Sequence, residues 1–143
     1  MLLEPRETFE ALRRDFRWTI PADFNIGRAV ADDWAAKFPE QVCLQHFSPD
    51  GRHLSMTYGE LSAQSSALAE ALTEIGVIRG DRVALLMPQC FETVIAHVAI
   101  YKMGAIALPL ALLFGEEALE YRLRDAGARV IVTNSFGLQR LKA

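Results

Sequence analysis

Three histidines, two cysteines and a few clustered carboxylates are the side chains of this 143-residue sequence best suited to catalysis or metal binding. His97 lies inside an apolar run with no Ser, Cys or Lys nucleophile paired to it. It reads as a hydrogen-bonded core or interface histidine rather than a general base. His46 and His53 fall on two short β-patterned segments and could supply half of a metal site, but no third ligand lies near them in sequence. They read as surface histidines of a hairpin. Cys43 and Cys90 have no C-x-x-C spacing, which matches neither a disulfide framework nor a zinc site; two buried thiols in a reducing cytosol are expected. Asp32-Asp33 and Glu116-Glu117 begin or line helices, where carboxylates favour the positive dipole end or face solvent.

Phosphate chemistry is also poorly served by local motifs. A dinucleotide fingerprint needs glycines at the turn after a strand, so that the backbone can approach a pyrophosphate. The turn after Met87 is Pro88-Gln89-Cys90 and has none. Gly76-Val77-Ile78-Arg79-Gly80-Asp81 has the glycines of a phosphate loop but not its lysine, and is expected to be a helix-to-strand turn. A phospho-receiver would want acids at strand ends, where Met87-Pro88-Gln89 and Pro109-Leu110-Ala111 offer none. A serine-hydrolase elbow, G-x-S-x-G, is absent from the sequence.

The elements that would position these residues follow from periodicity. Pro5 to Phe16 predicts a short charged helix. Asn25 can cap a second helix running to Phe38, with Ile26, Ala29, Val30, Trp34 and Phe38 on one stripe and Pro39 as its stop. Val42–Phe47 and Arg52–Thr57 flank Ser48-Pro49-Asp50-Gly51, the pattern of an antiparallel hairpin. Thr57-x-x-Glu60 fits a capping box opening a third helix. That helix carries Leu61, Leu68, Leu72 and Ile75, with Ala67 and Ala71 between them, and ends at Gly76.

From residue 83 the pattern alternates strand and helix. Val83–Met87 has no polar face and reads as a central strand. A helix over 90–103 follows, then a second buried strand over 105–109, a helix over 116–126 and a third strand over 130–133. This is the spacing of βαβ crossovers in a parallel sheet. The fold class is therefore α/β, a partial parallel sheet of βαβαβ type preceded by a β-hairpin and N-terminal helices. Val94–Phe114 approaches the length of a membrane span with Lys102 as its one charge. Gly104 and Pro109 instead divide it into a helix and a strand, so no membrane span is expected.

Composition agrees with a folded domain: 51% hydrophobic, 23% charged and a mean hydropathy of +0.13. The net charge of −3 arises wholly in the first third, and no basic face for nucleic acid is visible. Residues 1–17 carry eight charged side chains and no apolar core, so a cleaved signal peptide is not expected and the cytoplasm is.

A set of ordered motifs goes further than any single one. These are Thr57-Tyr58-Gly59-Glu60-Leu61, Leu68-Ala69-Glu70-Ala71-Leu72, Gly76 to Ala84, Met87-Pro88-Gln89, Lys102-Met103-Gly104-Ala105, and Pro109-Leu110 with Phe114-Gly115 before a Glu-rich helix. In this order and spacing the segment from Thr57 to Thr133 closely resembles the N-terminal region of AMP-forming acyl-CoA synthetases, of the adenylate-forming superfamily. Asn25 to Leu44 looks like the family's upstream helix, which makes residues 1–24 an N-terminal extension and 25–143 an incomplete N-terminal domain.

The resemblance implies a parent enzyme that uses ATP and Mg2+ to activate a carboxylic acid as an acyl-adenylate, then transfers the acyl group to CoA. It also implies that the Ser/Thr/Gly-rich phosphate loop, the ribose-binding Asp, the Mg2+-binding Glu and the catalytic Lys lie outside these residues. No catalytic or metal residue is therefore expected here, and no cofactor is expected to bind tightly to this chain alone. What carries over is the rim of the CoA site: Phe114 and Gly115 match a Phe-Gly step beside the nucleotide end of the coenzyme. Arg140 and Lys142 are the basic residues available for its phosphates. Glu116 stands where a second Gly is common and Gln139 where a basic residue often occurs. A purely structural reading also fits, with Gly115 as helix N-cap and Phe114 stapled to Leu119.

Two functions remain from different classes. One is the N-terminal portion of an acyl-CoA synthetase, inactive alone, whose partners are the carboxylate, CoA and the remainder of the enzyme. The other is a stand-alone α/β interaction or regulatory module that associates through exposed sheet edges.

Overall fold

The structure is a computed structural model and describes residues 5–48 and 50–141. Helix α1, Phe9–Asp15, is capped by Thr8, whose hydroxyl accepts from the Ala11 N–H at 3.1 Å; it is shorter than its charge pattern suggests and buries none of its residues. The next helix, α2, is a π-helical segment, Arg28–Asp32, running into an α-helical turn, Asp33–Ala35. Asn25 caps it as expected, its Oδ1 accepting from the Arg28 N–H at 3.0 Å.

The face that α2 buries is not its apolar stripe. Its large apolar stripe points outward, with Ile26, Val30, Trp34 and Phe38 between 42% and 51% exposed. The buried face consists of Gly27 and Ala31. A β-carbon built on Gly27 would lie 2.6 Å from the Lys102 backbone N and 2.9 Å from the Val98 carbonyl oxygen. The two helices therefore meet backbone to backbone, and that seam admits only the smallest residues.

Strands β1, Val42–Phe47, and β2, His53–Thr57, form the antiparallel hairpin; Pro49 of its turn lies outside the described residues. Helix α3, Tyr58–Glu74, opens with the full capping box: the Thr57 N–H donates to Glu60 Oε2 at 2.8 Å and the Glu60 N–H to Thr57 Oγ1 at 3.2 Å. Its inner face is Leu61, Ser65, Leu68 and Leu72, while Ala67, Ala71 and Ile75 are exposed. Ser65 completes the stripe at no unsatisfied cost because its hydroxyl donates to the Leu61 carbonyl at 2.6 Å. Gly76 ends the helix at φ 90°, in the left-handed region that favours glycine.

The remaining elements are β3 (Arg82–Leu86), α4 (Phe91–Lys102), β4 (Ile106–Pro109), α5 (Glu116–Ala126), β5 (Ala128–Thr133) and α6 (Ser135–Leu141). The three strands form a parallel sheet in the order β4-β3-β5. Strand β3 is central, as its apolarity requires, and Val83 to Leu86 are all buried. Strand β4, expected to be buried, is an edge instead: Ile106 is 52% exposed, and Pro109 sits where a missing N–H costs no ladder bond.

The order of the strands explains the layers. The chain steps from β3 to β4 on one side, then back across β3 to β5. Right-handed crossovers in opposite directions place their helices on opposite faces. Val83 and Leu85 accordingly pack with Leu72, Ala96 and Ile100 of α3 and α4. Ala84 and Leu86 pack with Leu110 and Leu119 beside α5 and α6. Each such leucine or isoleucine contributes about 2 kcal/mol by leaving water. A third cluster, with Ala31, Met56, Leu61, Ile95 and Val98, joins α2 and the hairpin to α3 and α4.

Lys102, the lone charge of the apolar run, is the polar knot of that junction. Its Nζ lies 2.5 Å from Asp32 Oδ1 and donates to the Ser62 carbonyl at 3.0 Å and to Ser66 Oγ at 2.9 Å. Ser62 Oγ in turn donates to Asp32 Oδ1 at 2.6 Å. No helix among the described residues is long and apolar enough to cross a membrane.

Candidate functional site

The reactive side chains singled out above do not assemble. In the hairpin register His46 faces Leu54 while His53 faces Phe47, so the two histidines lie on opposite sides of the ribbon. The His53 ring stacks on Phe47 at 4.3 Å, and His46 meets the edge of Phe91 at 6.1 Å. No group of three His, Cys, Asp or Glu side chains among the described residues could hold a metal ion. His97 Nδ1 pairs with the Thr93 carbonyl oxygen at 2.9 Å, one helical turn back.

Both cysteines are free and half-buried rather than fully buried. The Cys43 thiol donates to the Met56 carbonyl at 3.3 Å, and burial pushes its pKa above the ordinary thiol value. It stays neutral and is a poor nucleophile.

Parallel α/β sheets hold ligands in the crevice beyond the carboxyl ends of strands where the strand order reverses, here between β3 and β5. That crevice is filled. Thr133 Oγ1 donates to the Leu86 carbonyl at 2.8 Å, and Asn134 Oδ1 caps α6 by accepting from the Gly137 N–H at 2.9 Å. Gly137 is buried directly against both strand ends: a β-carbon there would collide with Thr133 Oγ1 and lie 2.8 Å from the Leu86 carbonyl oxygen. Thr133 can rotate away, but the Leu86 carbonyl belongs to the central strand. Gly137→Ala is expected to lower stability by about 2 kcal/mol through overpacking, and urea unfolding followed by far-UV circular dichroism measures it.

With the crevice plugged, a neighbouring open concavity lies further out, between the N-terminus of α5 and the outer face of α6. It is a groove of about 360 Å3 lined by Phe114, Gly115, Glu116, Phe136, Gln139 and Arg140. Three of the four residues expected at a coenzyme rim, Phe114, Gly115 and Arg140, therefore meet in one place. Lys142, the fourth, lies outside the described residues.

Gly115 is the N-cap of α5 with an extended backbone and no capping side chain. A β-carbon on it meets nothing within 4 Å, so packing does not demand glycine there. Phe114 packs onto the cluster that contains Leu119, as the staple reading expects. Arg140 Nη1 donates to the Phe114 carbonyl at 3.1 Å, and its guanidinium carbon lies 5.6 Å from the Phe136 ring centre. On the α5 side the Arg122 guanidinium carbon sits 4.3 Å above the Phe114 ring.

The groove thus offers two aromatic rings and an arginine with spare N–H donors, a set suited to an aromatic base and an anionic oxygen. The Glu116 carboxylate on the same rim opposes a phosphate. Phe136 and Arg122 were not singled out from the sequence; the aromatic one residue into the α6 segment was the available signal for the first.

A family model described as AMP-binding enzyme matches residues 31–143. The chain belongs to the AMP-binding enzyme family. Acetyl-coenzyme A synthetase 1 of Candida albicans is 35% identical over 118 residues, covering 81% of this chain and 17% of that protein. Acetyl-coenzyme A synthetase of Streptomyces coelicolor is 34% identical over 141 residues, covering 97% of the chain and 22% of the relative. The crystal structure of Brucella canis acyl-CoA synthetase superposes with a TM-score of 0.78 at 29% identity, over 83% of this chain and 22% of that one. The chain therefore spans about a fifth of the length of the relatives it matches. It corresponds to the N-terminal portion of these AMP-binding enzymes, as the ordered motifs imply.

Proposed function

We propose that this chain forms part of an AMP-forming acyl-CoA synthetase, an acid-thiol ligase that converts a carboxylate, ATP and CoA to acyl-CoA, AMP and pyrophosphate. Its own share of that function is structural support and the rim of the CoA site. The observation that carries this reading is the meeting of Phe114, Gly115 and Arg140 in one groove beside a filled sheet crevice. Phe136 and Phe114 would face the adenine end of CoA, and Arg140, with Lys142 beyond it, a phosphate.

The sequence contains no Ser/Thr/Gly-rich run ending in Lys, so these residues perform no step of adenylation, and ATP and Mg2+ belong to other parts of the enzyme. The division into an extension over 1–24 and a domain from 25 onward belongs to the same proposal, supported by Asn25 Nδ2 donating to the Tyr101 and Lys102 carbonyls at the end of α4. So do a cytoplasmic setting, with which the two free thiols agree, and a place in fatty-acid metabolism, supported by a 32% identical long-chain-fatty-acid–CoA ligase of Bacillus subtilis.

A second reading, an interaction module with no catalytic parent, is favoured by the outward stripe of α2 and the exposed edge at β4. ATP–pyrophosphate exchange separates the two. The 143-residue chain is expected to read background, and the polypeptide encoded by its full reading frame to give carboxylate-dependent exchange. Background from both would leave only the interaction module, and exchange by the 143-residue chain alone would overturn the supporting role.

A further inference from the structure

The groove described above contains one contact that its lining does not explain. Arg122 lies on the outer surface of α5, eight residues beyond Phe114, and among the described residues it makes no ion pair with a carboxylate. Its Nη1 donates instead to the Ala118 carbonyl at 3.0 Å, one turn back on its own helix. That bond holds the guanidinium over the Phe114 ring, its carbon 4.3 Å from the ring centre.

The neighbouring step is otherwise held by backbone, the Phe114 N–H donating to the Ala111 carbonyl at 3.1 Å and the Leu119 N–H to the Gly115 carbonyl at 3.0 Å. Gly115 supplies no side chain, α5 has no side-chain cap, and Gly115 itself is exposed with open space around it. Phe114 is half-buried, so part of its ring rests on the core and part reaches the surface. Two arginines from different helices complete the grip: Arg140 of α6 holds the Phe114 carbonyl and Arg122 of α5 covers the ring.

We propose that Arg122 is a positioning residue for coenzyme binding: it fixes the Phe114 ring so that the rim presents a preformed aromatic wall to the nucleotide end of CoA. This rests on the reading of the groove as a CoA rim. Arg122 itself does not touch the ligand. Its effect is confined to the thioester-forming half-reaction, the step in which CoA takes part. A cation held over a ring at an exposed site changes affinity by about two- to fivefold. A lysine retains the positive charge but loses the guanidinium fork that reaches Ala118 while it covers the ring.

The test uses the enzyme expressed from the full reading frame, with CoA as the probe. Arg122→Ala is expected to raise KM for CoA about two- to fivefold, with KM for ATP and the rate of ATP–pyrophosphate exchange unchanged. Arg122→Lys should recover part of the loss. Phe114→Ala and Arg140→Ala serve as the arms that test the rim itself.

If those two raise KM for CoA while Arg122→Ala does not, the positioning role is wrong and the rim stands. If neither of them alters KM for CoA, the rim reading falls and the positioning role with it. A parallel drop in exchange rate and thermal midpoint in Arg122→Ala would show a structural role only and also overturn the proposal. A second readout needs no ligand: 4-fluorophenylalanine at position 114 of the 143-residue chain gives a 19F resonance displaced from the free amino-acid value, and Arg122→Ala should move it back. An unmoved resonance would mean that Arg122 does not hold the ring.

Discussion

Gly27→Ala is expected to destabilise the chain by about 2 to 3 kcal/mol, although alanine for glycine in a solvent-facing helix position normally stabilises by about 1 kcal/mol. The sign follows from the seam between α2 and α4. An added methyl group would meet the Lys102 backbone nitrogen at 2.6 Å and the Val98 carbonyl oxygen at 2.9 Å. Neither atom can rotate away, since both lie on the backbone of α4. Relief requires α2 to lift off, which uncovers Ala31, now fully buried. It also pulls Asn25 from the Tyr101 and Lys102 carbonyls, to which its Nδ2 donates at 3.1 and 2.9 Å. Urea unfolding gives the comparison directly: a midpoint equal to or above the wild-type value would show that the helices do not meet at Gly27.

Lys102→Ala is the second large effect, and its cause is electrostatic. The Lys102 side chain is only 9% exposed and gives its three donors to Asp32, the Ser62 carbonyl and Ser66. Removing it leaves the Asp32 carboxylate with Ser62 Oγ as its remaining donor among the described residues. Breaking a buried pair from one side costs about 3 to 5 kcal/mol. Asp32 is 32% exposed and keeps part of its hydration, which brings the expected loss to about 2 to 3 kcal/mol. Asp32→Asn should cost less, because the amide oxygen still accepts from the ammonium and from Ser62. A double-mutant cycle with the two changes should return a coupling of about 1 to 2 kcal/mol. Strict additivity would mean that the pair is solvent-separated.

The parts of the fold that the sequence revealed were those decided by short-range physics. The capping box at Thr57 and Glu60, the stop at Gly76 and the central position of β3 each follow from residues within one turn or one strand. The orientation of α2 did not, because a periodicity reading counts large apolar side chains, and there the decisive face is the one without any. The π-helical turn over Arg28–Asp32 also shifts the angular spacing on which such a reading depends. Likewise Ile75 and Ala71 share the composition of a core face, but the face actually buried on α3 includes Ser65, whose hydroxyl is satisfied internally.

At the site, Phe114, Gly115 and Arg140 come together, but no local signal announced Arg122. Its contact depends on how far α5 has turned eight residues after Phe114, a property of the helix rather than of either residue. The filled crevice was equally hidden. It depends on the fit of Gly137 beneath a carbonyl some fifty positions earlier in the chain.

Strand β3 is the middle of a partition between two packed bodies. Its odd-numbered residues Val83 and Leu85 belong to the body built by α3 and α4, and its even-numbered neighbours Ala84 and Leu86 to the body that carries the groove. Strands β4 and β5 also contribute to both, with Ala107, Val130 and Val132 on the first body and Leu108, Ala128 and Ile131 on the second, so a disturbance at the α2–α4 seam reaches Phe114 and Arg140 through the sheet as a whole. Leu86 is where that traffic ends: its side chain lies in one body's interior while its carbonyl carries Thr133 and sets the clearance for Gly137. The rim and the far helices are thus two provinces divided by one three-stranded wall.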